Sequence, residues 1–284
     1  MVKYNSRFIK KLEGDAYKIR TLAIKLMAHG GVGHPGGSLS EADILAVLYF
    51  NEMHIDPNNL SWEDRDRFVL SKANACNALY SALSLRGYFP EKECFTYGYI
   101  NSRLQSHPDM KKTPGIDMSG GSLGQGFSVA VGMAWACRYQ GRFNHIYCMI
   151  GDGECQEGQI WEAAMSAAQY KLDNLTVILD YNKVQAKDYI YNEINIEPII
   201  DKWMAFGWKT IVIDGHDIKQ ILDAFYTARY INRIGIPTII IAHTIKGKGV
   251  PWMEFNPKWH THAPTGEKAE QALEELAKTY KFSV

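Results

Sequence analysis

The chain has 284 residues, and its 31 lysines and arginines balance 31 aspartates and glutamates, so the formal charge is zero with histidines neutral. Such a length is about the upper end for one α/β domain and ample for a full core, while the even balance offers no basic stripe for nucleic acid and no polybasic tract for a membrane surface. Five cysteines, at 76, 94, 137, 148 and 155, form no Cys-x-x-Cys pair or metal-site spacing; with no apolar run near a membrane span and a polar, mixed-charge N-terminus unlike a signal peptide, they suggest a soluble cytoplasmic protein in a reducing compartment.

Ile9, Leu12, Ala16, Ile19, Leu22, Ala23, Leu26 and Met27 recur at helical spacing and predict one amphipathic helix. Gly30-Gly-Val-Gly-His34-Pro35-Gly-Gly-Ser38 stops it with a glycine-rich loop, and Ser40-Glu-Ala-Asp43 has the form of a capping box opening the next helix. Phe68-Val-Leu70 is a short buried-strand candidate, followed by a helix across Cys76 to Leu85. Loops and short elements are expected from Pro90 to about Gly121. Leu123 to Tyr139 is helical, with Gly126, Ala130, Gly132 and Ala134 suited to close packing. An apolar strand covers His145 to Ile150. Ile160 to Tyr170 is then helix, Leu175 to Tyr181 strand, Lys209 to Ile213 strand, Ile218 to Ile231 helix, Pro237 to His243 strand, and Glu267 to Lys281 a charged helix. Apolar strands alternating with helices imply an α/β fold, a mostly parallel sheet covered by helices on both faces. Without internal repeats, low-complexity tracts or linkers, residues 1–284 read as one domain.

The strongest chemical signal lies where the strand ending at Ile150 meets Gly151-Asp152-Gly153-Glu154, with a second apolar strand ending at Asn182 after the next helix. Parallel strands would place Asp152 and Asn182 at neighbouring carboxyl ends, where open α/β sheets bind ligands. Magnesium takes oxygen ligands, usually one or two carboxylates plus phosphate oxygens. Glycines allow close backbone approach, and a helix N-terminus favours phosphate. The pattern suits a magnesium diphosphate; the alternative is an ordinary strand–helix turn with a solvated aspartate.

Four histidines fall on expected loops or strand ends: His34 among glycines, His107 before Pro108, His243 at the end of the last strand, and His260 after Trp259. Imidazoles donate, accept or carry charge near neutral pH, which suits a site handling polyols and phosphates. Any one alone reads equally as a surface or locally bonded histidine. Gly120-Gly121-Ser122-Leu123-Gly124-Gln125-Gly126 is a further candidate ligand-facing loop, or else a glycine-rich helix start. Glu157 sits in the first turn of the following helix, where a carboxylate also complements the helix dipole.

Taken together, Gly33-His-Pro-Gly-Gly-Ser-Leu39, Arg67-Phe-Val-Leu-Ser-Lys72, Arg103-Leu-Gln-Ser-His-Pro-Asp-Met-Lys-Lys-Thr-Pro-Gly115, Gly121-Ser-Leu-Gly-Gln-Gly126, Gly151-Asp-Gly-Glu-Cys-Gln-Glu-Gly-Gln159 and His243-Thr-Ile-Lys-Gly-Lys-Gly249 resemble the diphosphate-binding portion of transketolases, in order and over nearly the whole chain. The resemblance implies thiamine diphosphate and Mg2+ as cofactors, the metal held by Asp152, Asn182 and the Val184 carbonyl. Asn74, Gly121, Ser122, Leu123, Gly153, Glu154 and Lys246 would line the cofactor with Asp152 and Asn182. His34, His107 and His260 would face the donor sugar and its reacting carbonyl, and Glu157 would lie near a subunit interface.

Two departures qualify the resemblance. The chain stops at Val284, about where a full-length transketolase begins its pyrimidine-binding domain, which carries the glutamate that activates the cofactor. This implies the N-terminal subunit of a split transketolase, active only in a heterotetramer with a separate C-terminal subunit. The family usually reads Ser-Lys-Gly-His-Ala where this chain has Ser71-Lys-Ala-Asn-Ala75, so Asn74 replaces a histidine; after Asn182, Lys183-Val-Gln-Ala-Lys187 departs from Gly-Leu-Gln-Ile-Asp-Gly. Asn74 favours a modified ketose (branched, sulfonated, amino or nucleotide-linked), unless it is simply a helix N-cap. The expected reaction is transfer of a two-carbon ketol unit between sugar or sugar-phosphate substrates. Deoxyxylulose-phosphate synthases and dehydrogenase alpha subunits share the metal motif but resemble the His107 and Lys246 segments less. A non-catalytic cofactor-binding assembly partner is the alternative of a different class.

Overall fold

The computed structural model describes residues 4–231 and 234–280. Its helices and strands, in chain order, are α1 (Ser6–Gly30), α2 (Pro35–Ser40), α3 (Ala42–Val47), β1 (Arg67–Leu70), α4 (Cys76–Arg86), α5 (Gln125–Tyr139), β2 (Ile146–Gly151), α6 (Gly158–Gln169), β3 (Leu175–Tyr181), α7 (Ile190–Glu193), α8 (Ile199–Ala205), β4 (Lys209–Asp214), α9 (Ile218–Tyr226), β5 (Thr238–His243) and α10 (Glu267–Thr279). The strands pair in the order β1-β2-β3-β5-β4, every neighbouring pair parallel.

Strand composition follows from position. Central β3 is buried along its whole length, as a strand covered on both faces must be, whereas edge strand β4 leaves Val212 exposed. Alternate residues sort onto two cores. Phe68, Leu70, Tyr147, Met149, Ile178 and Ile240 pack under α1, α3, α4 and α9. Val69, Ile146, Cys148, Ile150, Val177 and Ile239 pack under α5, α6 and α8. Right-handed crossovers explain the division. The chain advances in one direction from β1 through β2 and β3 to β4, laying α5, α6 and α8 on one face. It then steps back to β5, which puts α9 on the other.

Close packing of α5 rests on Gly126: a Cβ there would stand 2.6 Å from the Ser71 Cα. The first turn of α5 therefore sits directly on the end of β1. Among the described residues no helix is long and apolar enough to cross a membrane. All five cysteines are buried and free.

Several local expectations are corrected. The glycine-rich segment is a loop only to His34; Pro35, with its preset φ, opens α2. Ser40 makes no capping box: its Oγ donates to the Gly37 carbonyl (3.0 Å) and to Asp180 Oδ2 (2.7 Å), and α3 has no side-chain cap. Asp43 is turned inward instead, pairing with Arg20 (2.5 Å) and His216 (2.7 Å). α5 begins at Gln125, two residues later than expected. α9 ends at Tyr226 and relaxes into a wider turn over Thr227–Ile231. Short α7 and α8 have no counterpart among the expected elements, and the expected end of the last helix, Lys281, lies outside the described residues.

Candidate active site

Gly151 in β2 stands opposite Asp180 in β3, so Asp152 and Asn182 leave the sheet from the same, carboxyl end. There a cavity of about 380 Å³ opens between the loops after α1, β1, β2, β3 and β5. His34, Asn74, Gly121, Leu123, Asp152, Gly153, Glu154, Asn182, Val184, Lys246 and His260 all line it. Ser122 and His107 are exposed and do not. His243 is outside, tilted against Tyr181 at 5.3 Å and lining a neighbouring groove.

Asp152 is 3% exposed and has no cationic partner among the described residues. Its Oδ1 accepts from the Gly153 N–H (2.7 Å) and its Oδ2 from the Lys183 N–H (2.5 Å). Burial, reinforced by the charge of Asp180, pushes its carboxyl up to about 7. Asn182 Oδ1 accepts from the Val184 N–H (3.1 Å), while its Nδ2 donates to Asp180 Oδ2 (3.1 Å). A buried, unmatched carboxylate beside an amide oxygen and a backbone carbonyl is a donor set suited to a hard divalent cation.

In the same cavity Lys246 supplies the opposite charge, also unmatched by any carboxylate contact among the described residues. Its Nζ donates to the carbonyls of Val184 (2.8 Å) and Gln185 (2.9 Å) and contacts His260 Nδ1 (2.9 Å). Burial is the main reason that its ammonium is pulled down to about 8. An anionic ligand would relieve that penalty, so the residues present fit a magnesium diphosphate.

The His34 and His260 rings meet edge to face at 5.4 Å. Burial, then the charges of His107 and Lys246, lowers His34 to about 4. Burial, then Lys246 and His34, lowers His260 to about 3. Both rings are therefore neutral near pH 7, each with one donor and one acceptor nitrogen. His34 Nδ1 is buried without a protein partner among the described residues.

The buried Glu154 carboxylate accepts from the Ser71 hydroxyl, the Gly124 N–H (2.7 Å) and the Gly151 N–H (3.0 Å). It fastens the end of β1, the start of α5 and the end of β2, so its oxygens are committed to the cavity wall. Asn74, half-buried in the turn Ala73–Ala75, caps nothing: the N-cap of α4 is Ala75, without a side-chain bond. Asn74 lines the cavity, and its side chain has no protein hydrogen bond among the described residues. Glu157 is exposed at the N-cap of α6 and makes no capping bond.

Beneath the cavity lies a network that sequence reasoning missed. Lys72 Nζ bridges Asp180 (2.5 Å), Glu41 (2.7 Å) and the Gly37 carbonyl (3.0 Å). Asp180 also accepts from the Thr244 and Ser40 hydroxyls. An acid near the end of an otherwise apolar strand was a usable signal for Asp180. Nothing in the local pattern around Glu41 announced its burial. Gln185, which also lines the cavity, was not singled out as a site residue.

The model of the transketolase thiamine diphosphate binding domain matches residues 13–282. The chain is 48% identical over 268 residues to the 6-deoxy-6-sulfo-D-fructose transketolase subunit SqwG of Clostridium sp. (strain MSTE9), covering 94% of this chain and 96% of that protein. It is 41% identical over 267 residues to one of the subunits of the apulose-4-phosphate transketolase of Actinobacillus succinogenes, again 94% of this chain and 96% of the relative. Among solved structures, transketolase from Leishmania mexicana superposes with a TM-score of 0.88 at 28% identity, covering 95% of this chain. The chain spans only 41% of the length of that structure.

Proposed function

The chain belongs to the transketolase family, within its thiamine diphosphate binding domain, and on that premise we propose that it is one half of a two-chain, cytoplasmic ketol transferase. The observation that carries the reading is the pair of unmatched buried charges, Asp152 and Lys246, lining one cavity at the carboxyl ends of the strands. Asp152, Asn182 and the Val184 carbonyl would hold magnesium. Gly121, Ser122, Leu123 and Gly153 would offer backbone to the diphosphate. Thiamine diphosphate, when bound, supplies a carbon nucleophile and an electron sink for cleaving the bond beside a ketose carbonyl. Neutral His34 and His260 would orient the donor and hold or move a proton at its oxygens.

The partner in this reading is a separate C-terminal subunit carrying the pyrimidine-binding domain, two copies of each chain forming the particle. Support comes from the two relatives named as subunits, each matched over nearly its whole length, set against the partial coverage of a full-length transketolase. A modified ketose donor is the second reading. It is favoured by Asn74 on the cavity wall and by relatives named for a sulfonated fructose and for apulose phosphate.

Co-purification with the product of the adjacent gene, followed by ketol-transfer assays with thiamine diphosphate and magnesium, tests the proposal. Turnover is expected from the pair and not from this chain alone. Turnover by the rigorously purified chain alone would overturn the two-chain reading. A pair that binds cofactor but turns over neither common nor modified ketoses would favour the non-catalytic assembly role.

A further inference from the structure

We infer that Lys246 is a positioning residue that locks His260 in the Nε2–H tautomer, so that His260 meets its ligand as a hydrogen-bond donor. The inference deepens the functional reading above, from which it takes the ligand-facing role of His260.

Donor counting leads to this assignment. A lysine ammonium has three N–H donors and no acceptor. Lys246 Nζ has three acceptors within bonding distance: the Val184 carbonyl at 2.8 Å, the Gln185 carbonyl at 2.9 Å and His260 Nδ1 at 2.9 Å. The two carbonyls can only accept. Full use of the ammonium thus requires a lone pair on His260 Nδ1, and a neutral imidazole then carries its proton on Nε2. An Nδ1–H tautomer would set an N–H against an ammonium proton.

The lysine is held where it must be for this. It is 2% exposed, and its stem lies on Gly36, where a Cβ would come within 2.8 Å of Lys246 Cε. Its backbone is pinned on both sides: the Gly247 N–H donates to the Gly36 carbonyl (3.0 Å), and the Phe255 N–H to the Lys246 carbonyl (3.0 Å). Through these three contacts Lys246 ties the Val184–Gln185 loop to the His260 imidazole. Orienting an imidazole through the hydrogen bond at its other nitrogen is the usual way that one tautomer is selected.

Long-range proton–nitrogen correlation spectra of the full chain labelled with 15N-histidine test the assignment, His260 being identified by loss of its signals in His260→Gln. The wild-type spectrum should show His260 with a bare Nδ1 and a protonated Nε2. In Lys246→Met, which keeps most of the stem and removes the donor, the Nδ1–H form should rise at least about tenfold, as loss of a charge-assisted hydrogen bond demands. A wild-type ring in the Nδ1–H form or an even mixture overturns the inference, whether or not the variant folds. So does a folded variant whose tautomer is unchanged. Neither measurement needs cofactor or turnover, so failure of the transferase reading would leave this result standing, and the reverse.

Discussion

Buried charge is matched at the amino ends of the sheet, whereas at the carboxyl ends the matched Lys72–Asp180–Glu41 network underlies two groups that are not. At the amino ends, Arg229 meets Asp66 at 2.5 Å and the Tyr147 hydroxyl at 3.0 Å, with Glu52 at 3.8 Å. Asp66 also accepts from the backbone N–H groups of His54 (2.8 Å) and His145 (2.9 Å), and Asp117 joins Arg65 (2.5 Å) to the Phe68 N–H (2.9 Å). Each of these two cations has its carboxylate. At the carboxyl ends, Asp152 and Lys246 feel each other's charge but are not in contact, and among the described residues neither has an opposite charge against it. Matched pairs join the elements of the fold. Unmatched charges cost stability in the free chain, and a ligand bearing both a cation and an anion removes that cost.

The largest effect that would sharpen this contrast is on stability. Arg229→Met leaves Asp66 buried and unpaired, which should cost about 3–5 kcal/mol in urea unfolding while sparing cofactor binding by the folded protein. A loss below about 1 kcal/mol, the scale of an exposed pair, would mean that the amino-end pairs do not frame the fold.

Next in size is Asn74→His, on the cavity wall. One well-placed donor to a developing oxyanion is worth roughly a hundred- to thousandfold in rate. The variant, assembled with its partner, should therefore gain up to about a hundredfold in kcat/KM on xylulose 5-phosphate and lose preference for a modified ketose. If the wild type already uses xylulose 5-phosphate efficiently and the variant gains nothing, Asn74 does not set specificity.

The smallest expected effect is on pH dependence. His34 and His260 lie below the ordinary histidine value of 6.5, at about 4 and about 3, chiefly through burial. Between those values and 6.5 the unfolded chain binds more protons than the folded one, so stability should fall as pH drops through that window. His34→Gln and His260→Gln should each flatten the slope of unfolding free energy against pH. An unchanged slope in both would place the titrating groups elsewhere.

How much was legible in the sequence follows the same division. β2 and β3 were readable because a strand covered on both faces is a nearly unbroken apolar run, and Asp152 and Asn182 because they close such runs. Pro35 opens a helix that the surrounding glycines concealed. Local pattern misleads at Ser40 because its partner, Asp180, lies 140 residues away. The histidines make the point most simply. A place on a loop or strand end did not reveal which rings face the cavity, and only the packing separates His34 and His260 from His107 and His243.

Calorimetric titration of thiamine diphosphate into the assembled pair, with magnesium and with chelator, for wild type and Asp152→Ala, bears most directly on the claim that the unmatched charges are held for a magnesium diphosphate. Binding is expected only for the wild type with magnesium. Chelation or the substitution should each weaken it by more than about a hundredfold, roughly 2.8 kcal/mol, while the unfolding midpoint of the variant does not fall. Wild-type affinity in Asp152→Ala, or binding indifferent to magnesium, would contradict it.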